Sequence, residues 1–377
     1  MSQDNTRRPH LIRFLFKHRN FWIPELTSLL HLSGFTNPSP NFFDHDPLAE
    51  IRSPFLPATF PNDQVATQIC SKGILIKSVY EVWASATSYA KLTHAIAALP
   101  PQVTEEYYAN EKTYSINVEA FGRKLTSSEQ NERRQQVASG LKFRGKVKLK
   151  HPDHVFWIVE DWGDHAMVSY KERLGESSIS SSSSTSSSSS TPSTVPQPNK
   201  IYFLREICQG NGLKVANTYS LKQRNYLGPT SMDVQLSFVM AHQGLVQPGS
   251  VVMDPFVGTG SLLIACAALG ASLTIGTDID VRVLKGMNRI ARATDANIFT
   301  NFQQYHLPPP CILRADNSKR GNVFRHHHPS IGKSIKRRRS NVVVIIVGLI
   351  FITSFLFYCL LSKSYSNQHP NCITYLF

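Results

Sequence analysis

Ser250-Val-Val-Met-Asp-Pro-Phe-Val-Gly-Thr-Gly-Ser-Leu-Leu-Ile-Ala-Cys-Ala-Ala-Leu-Gly-Ala-Ser-Leu-Thr-Ile-Gly-Thr-Asp-Ile-Asp280 decides how the rest of this sequence is read. Val251 to Met253 is a short apolar run, the pattern of a buried strand. Phe256 to Gly260 is a glycine turn, and Ser261 to Leu269 reads as an apolar helix ended by Gly270. Ser272 to Gly276 is a second strand, closed by Asp278 and Asp280. The order strand, glycine turn, helix, strand is that of a βαβ nucleotide-binding unit.

Two ligand classes compete for such a unit. The dinucleotide fingerprint asks for a third glycine, but Leu263 stands in its place after Gly258 and Gly260. Asp254 ends the first strand beside the turn, where a carboxylate repels a pyrophosphate lodged at a helix start. The same carboxylate suits a ligand bearing an ammonium group, such as the methionine moiety of S-adenosyl-L-methionine. Asp278 or Asp280 follows the glycines by about twenty residues, the spacing at which a carboxylate accepts ribose hydroxyls. The candidate cofactor residues are therefore Asp254, Phe256, Gly258, Thr259, Gly260, Asp278 and Asp280. The bland alternative is a tight turn with aspartates that merely end strands. A nicotinamide-dependent oxidoreductase would need the missing glycine.

Outward from this unit, composition separates four regions: 1–173, mixed α and β; 174–199, a linker; 200–318, the strand–turn–helix region; and 319–377, of different character. The linker holds the serine run from Ser177 to Ser190, then Pro192, Pro196 and Pro198, and cannot bury apolar surface. The formal net charge is +14, which invites a nucleic-acid or membrane partner. Nine of the lysines and arginines lie from Lys319 onward with no acid among them, leaving the first 318 residues at about +5. Six cysteines without a C-x-x-C pair, behind a polar, charged start, read as reduced thiols of a cytosolic protein.

In the front region Leu11 to Phe16 reads as a strand, Pro24 to Gly34 as a helix with Leu26, Leu29 and Leu30 on its apolar face, and Ser88 to Leu99 as a helix stopped by Pro100 and Pro101. Tyr114 to Phe121 alternates as a strand. Thr126 with Glu129 makes a capping-box pattern ahead of a helix that runs to Gly140. Lys142, Arg144, Lys146, Lys148 and Lys150 alternate, which on a strand puts all five on one face that can meet phosphates; a solvated face is the plain alternative. Trp157 and Trp162 read as core.

The stretch Asp254-Pro-Phe-Val-Gly-Thr-Gly260 with Gly276-Thr-Asp-Ile-Asp280 is similar to the eukaryotic and archaeal tRNA guanosine-10 N2-methyltransferase family. Tyr226-Leu-Gly-Pro-Thr-Ser-Met-Asp233 resembles the segment that helps form that family's cofactor pocket. The resemblance thereby adds Thr230, Ser231 and Met232, against the reading of a helix start capped by Ser231. Leu313-Arg-Ala-Asp316 resembles the strand whose terminal aspartate holds the adenine amino group; otherwise Asp316 is a turn residue. Arg19 to Leu30, Lys77 to Trp83, Phe143 to Leu149 and His154 to Asp161 look like the family's front part, which includes a THUMP domain, an RNA-binding module. The resemblance covers about residues 10 to 318. It implies an α+β N-terminal RNA-binding (THUMP-like) domain followed by an α/β Rossmann-like methyltransferase domain, with tRNA as substrate and a small zinc-binding activator subunit as partner.

That methyltransferase domain reads as incomplete. The family's Asp-Pro-Pro-Tyr segment, which holds the guanine amino group beside an aromatic ring, is missing after Asp316, and so are the strands that would complete the sheet. In its place come Arg325-His-His-His-Pro329, Lys336-Arg-Arg-Arg339 and a charge-free run from Val342 to Leu361, long enough to span a bilayer. The preferred reading is a truncated or alternatively spliced product, cytoplasmic, with a tail that is not family sequence; a membrane anchor through 342–361 is the other. No catalytic residue is assigned. A non-catalytic RNA-binding protein, with or without a membrane tether, is the alternative to the enzyme.

Overall fold

The computed structural model describes residues 9–35, 53–163, 197–229, 231–287, 290–291, 295–316 and 342–344. The described residues fall into two compact units. The first takes those up to 16, from 39–71 and from 76–209; the second takes 17–38, 72–75 and 210 onward.

The first unit is a six-stranded sheet of β1 (His10–Phe14), β2 (Phe55–Ala58), β3 (Ile76–Ala86), β4 (Tyr114–Phe121), β5 (His154–Asp161) and β6 (Lys200–Gln209), in the order β2-β1-β3-β6-β5-β4. Only β4 and β5 run parallel; every other neighbouring pair is antiparallel. Alternation along the strands sorts their side chains to two faces. One face carries Trp83, Phe156, Ile158 and Phe203, packed with Leu92 and Ile96 of the helix Tyr89–Ala97 and Val137 of the helix Ser127–Ala138. The other carries Leu11, Tyr80, Phe121, Val159 and Leu204. Ser88 caps the first of these helices, and Thr126 with Glu129 closes the expected capping box at the second. Trp157 packs partly buried against the second face, its Nε1 donating to Glu206, and the Trp162 Nε1 donates to buried Glu160.

β6 pairs along most of its length with both β3 and β5, beginning at Asp161↔Lys200. The structural division thus falls after Gln209, where composition placed it near 200. The residues between 162 and 199 connect two neighbouring strands of one sheet. The serine run itself, like Thr230 and most of 319–377, lies outside the described residues.

The basic stretch 142–150 is not a strand, which corrects the one-face argument. Only Val147 bridges to Tyr114. Phe143 anchors the segment by stacking on Tyr114 at 4.1 Å between ring centroids, and the Arg144 Nε donates to the Tyr108 carbonyl. The Arg144 guanidinium pairs with Glu105, whereas Lys142, Lys146, Lys148 and Lys150 reach solvent.

The second unit holds β7 (Tyr226–Leu227), β8 (Val251–Asp254), β9 (Leu273–Asp278), β10 (Ile290–Ala291), β11 (Cys311–Arg314) and β12 (Val342–Val344). β7 and β10 form a short antiparallel ribbon, and the rest form a parallel sheet ordered β11-β9-β8-β12. Parallel strands need crossovers that cover their faces, so the inner ones are apolar along most of their length. β8 is buried at all four positions, and Leu262 to Ala267 of the crossover helix Ser261–Ala268 are buried all round.

β12 corrects the expectation that nothing beyond residue 318 contributes to the sheet. Val342, Val343 and Val344 lie beside Val251, Val252 and Met253 in parallel register. The unpaired amides of β8 would otherwise form an open edge, and a valine run is the sequence of an inner parallel strand as well as of a bilayer span. Among the described residues no helix is long and apolar enough to cross a membrane.

A buried carboxylate binds this unit together. Glu25, in the helix Trp22–Leu32, is fully buried; its Oε1 accepts from the Ile74 N–H and its Oε2 from the Leu75 N–H, each at 2.9 Å. The Nδ1 of His242, in the helix Val234–Gln243, lies 2.9 Å from Oε1. Three segments far apart in sequence thus meet on one side chain.

Candidate cofactor site

Ligands of open α/β sheets bind beyond the carboxyl ends of the strands, and there the structure brings most of the sequence candidates together. Asp254 ends β8, is 3% exposed, and its Oδ1 accepts from the Phe256 N–H at 2.9 Å. Its Oδ2 makes no hydrogen bond among the described residues. Burial, with a smaller contribution from the charge of Asp278, pushes this carboxyl up to about 7.

The turn that follows needs its glycines. Gly258 and Gly260 have φ of +49° and +81°, where a side chain is strained. A Cβ on Gly260 would stand 2.8 Å from the Ile298 side chain, so the helix Ile298–Gln304 packs directly on the turn. Asp278, at the end of β9, fixes the turn from the neighbouring strand. Its Oδ2 accepts from the Gly258 N–H at 3.0 Å and its Oδ1 from the Asp280 N–H at 2.9 Å. Asp280 instead caps the helix Val281–Leu284 and pairs with Arg282. Of the two aspartates left open as ribose ligands, Asp278 shapes the turn and Asp280 starts a helix; each carboxylate keeps lone pairs for a ligand.

Phe256 in the turn and Ile279 just past the end of β9 are 54% and 59% exposed. Large apolar side chains left open beside a strand end are suited to meeting a planar ring. Asp316 lies two residues past β11, whose Arg314 is in register with Asp278, and the Ala315 N–H donates to the Asp278 carbonyl. Asp316 is thereby brought to the strand end that carries Asp278.

The segment Tyr226–Asp233 reaches the same turn. The Ser231 Oγ lies 2.8 Å from the Thr259 Oγ1 and accepts from the Gly228 N–H at 3.0 Å. A Cβ on Gly228 would meet the Thr259 methyl at 2.9 Å. Asp233, not Ser231, caps the following helix, its side chain accepting from the Leu236 N–H. The capping role that the sequence left open for Ser231 is therefore filled by another residue. Met232 is half-buried next to it.

Sequence reasoning missed the residues that hold this segment in place. Asn301 is fully buried and both accepts from the Tyr226 N–H and donates to the Tyr226 carbonyl, at 2.8 Å each. The Tyr226 hydroxyl donates to the Val283 carbonyl. An asparagine inside an apolar helix pattern, Ile298 to Phe302, was the signal available for Asn301. Gly276 was likewise passed over as a strand residue: a Cβ there would be 2.6 Å from Val257 and 2.9 Å from Ile312. Gly276→Ala should lower the melting stability of the second unit by about 1–3 kcal/mol through overpacking and tilt the glycine turn. Thermal melts with and without S-adenosyl-L-methionine would read both effects, and an unchanged melt would show that the strand tolerates the methyl.

Among the described residues there is no group of three side chains placed to hold a metal ion. Of the six cysteines, Cys70, Cys208, Cys266 and Cys311 are described and are free thiols.

Residues 8–174 match the family described as Tmrp11 THUMP N-terminal domain, and residues 222–307 match the RMKL-like methyltransferase domain. The chain is thus of the class in which an N-terminal THUMP-type region precedes a methyltransferase domain. Among the proteins it resembles are homologues named tRNA (guanine(10)-N(2))-methyltransferase TRMT11. It is 33% identical to the chicken protein over 79% of this chain and 59% of that one, and 33% identical to the human protein over 81% and 60%. The relative from Dictyostelium discoideum is 32% identical over 82% and 58%. The chain spans about three fifths of the length of these relatives.

Proposed function

We propose that the second unit binds S-adenosyl-L-methionine and that the chain derives from an enzyme that methylates guanine N2 at position 10 of tRNA. The observation that carries the cofactor reading is the unused oxygen of buried Asp254 beside the left-handed turn Gly258–Gly260. A ligand ammonium supplies what that carboxylate lacks. Asp278 and Asp280 would accept the ribose hydroxyls, Phe256 would flank the adenine, and Asp316 would accept from its amino group. Thr259, with Ser231 and its neighbours Thr230 and Met232, would close the methionine end. The cofactor, when bound, supplies an electrophilic methyl group. This chain's own residues hold it and keep water from it. Substrate and position come from the names of the relatives.

Titration calorimetry with S-adenosyl-L-methionine and transfer of labelled methyl to tRNA test the two halves separately. Binding with transfer supports the enzyme. Binding of tRNA without transfer supports the second reading, a non-catalytic RNA-binding relative. Absence of cofactor binding would sink the reading of the glycine turn. The family's small zinc-binding activator subunit is the expected protein partner, the cytoplasm the expected place, and a membrane the further partner if 342–361 spans one.

The tRNA partner is carried in this reading by the front unit and by Lys142, Lys146, Lys148 and Lys150, with Arg144 a lesser contributor because Glu105 already pairs with it. Replacing Lys146, Lys148 and Lys150 together by alanine should lower the slope of log affinity against log salt by about 2 to 3. An unchanged slope in anisotropy titrations of tRNA would remove this strip from the interface.

A further inference from the structure

The turn has a second buried charge at its other end. Arg224 is 1% exposed, the largest of the fully buried side chains. Its Nη1 donates to the Ser261 Oγ at 2.6 Å and its Nη2 to the Tyr219 carbonyl at 3.3 Å, while its Nε has no hydrogen-bond partner among the described residues. Tyr305 is the other polar group facing it, so its surroundings are neutral. Among the described residues no carboxylate pairs with it.

This placement is costly. A guanidinium out of water normally brings its counter-ion with it. Ser261 is the first residue of the helix Ser261–Ala268, and that end of a helix already carries positive partial charge. Burial pulls the Arg224 guanidinium below its ordinary range, the direction expected where nothing offsets the charge. Asp254 and Ser261 bracket the turn in sequence. At one end stands a buried anion with a spare oxygen, Asp254; at the other, a buried cation with a spare donor, Arg224. A ligand with an ammonium for Asp254 and an anion for the positive helix start that Arg224 backs would be the zwitterionic end of an α-amino acid.

We propose that Arg224 is a positioning residue for the carboxylate of the cofactor's amino-acid moiety, acting through Ser261 and the start of its helix. The inference rests on the reading of the turn as an S-adenosyl-L-methionine site and adds what recognises the anionic end. Arg224 fixes Ser261 from behind and keeps positive potential at the helix start, where low dielectric lets it act undiminished by water. Asp254 takes the ammonium, so the two groups together select an amino acid over an amine or an acid alone.

The test compares S-adenosyl-L-methionine with its decarboxylated analogue, an amine lacking only the carboxylate, by calorimetry on the full chain. Wild type is expected to bind the analogue about thirtyfold more weakly or worse, as for loss of one partner of a desolvated charge pair. Arg224→Met is expected to lose a similar factor for S-adenosyl-L-methionine and less than about threefold for the analogue, because only the carboxylate reads the charge. Equal losses for both ligands would make Arg224 a packing residue and overturn the proposal. If Arg224→Met does not fold, Ser261→Ala decides. It cuts the link at the helix start and should shrink the discrimination about fivefold; discrimination unchanged from wild type overturns the proposal. Wild type that binds both ligands equally also overturns it while leaving the cofactor site standing. Wild type that binds neither removes the cofactor site and the proposal with it.

Discussion

Glu25→Ala should destabilise the second unit by about 3–5 kcal/mol, because it leaves three buried polar groups without the partner they now have. The alanine would leave the Ile74 and Leu75 N–H groups and the His242 Nδ1 buried without the oxygens they now face. Each orphaned donor costs about 1–3 kcal/mol, and neither residue 25 nor 242 has a route to water. Glu25→Gln keeps one accepting oxygen and turns an amide toward a donor, so it should lose roughly half as much. Urea unfolding gives the total. Hydrogen exchange at Ile74 and Leu75 localises it, and amides that stay protected in the alanine variant would contradict the assignment of Glu25 as their acceptor.

Asp254→Asn should separate binding from stability. Loss of the carboxylate removes the partner proposed for the cofactor's ammonium, a cost of about 2 kcal/mol or more, hence roughly thirtyfold in affinity. The free protein should gain at pH 8. Its folded carboxyl sits at about 7 against an ordinary value of 3.8, so the favourable contribution is complete below the ordinary value and is lost as pH rises toward 7. Above 7 the charge is buried unpaired, and asparagine avoids it. The same titration predicts the wild-type binding profile. Only the ionised form pairs with an ammonium, so affinity should be level above pH 8 and fall about tenfold per unit below 7. A flat profile between pH 6 and 8 would mean that the ammonium sits elsewhere.

The βαβ unit was legible because every level of the sequence agreed on it. The apolar runs, the glycines of the turn and the aspartates at the strand ends fell within residues 250–280, and β8, the helix and β9 follow within two residues of where they were read. Local signals elsewhere did as well: Tyr114 to Phe121 is β4, and Thr126 with Glu129 caps its helix. What escaped depends on contacts remote in sequence. β6 looks from its surroundings like the opening of the second domain, yet its partners are β3 and β5. The lysine alternation has the period of a strand, but Phe143 buries its ring against Tyr114 and draws the backbone out of that geometry. Val342 to Val344 are equally suited to sheet and bilayer, and only the open side of β8 distinguishes them. Arg224 carries no local signal at all; its meaning lies in the neutral groups that surround it, Ser261, Tyr219 and Tyr305.

The clamp on Glu25 also constrains the timing of folding. Its partner His242 lies 217 residues further along the chain. At ordinary synthesis rates of about 5–20 residues per second, the helix Trp22–Leu32 waits roughly 10 to 40 s for the helix Val234–Gln243 to be made. During that interval Trp22, Ile23, Leu26, Leu29 and Leu30, all buried in the finished unit, have nothing of the Val234–Gln243 helix to cover them. The newborn chain therefore offers an apolar helix to chaperones before it offers a finished second unit.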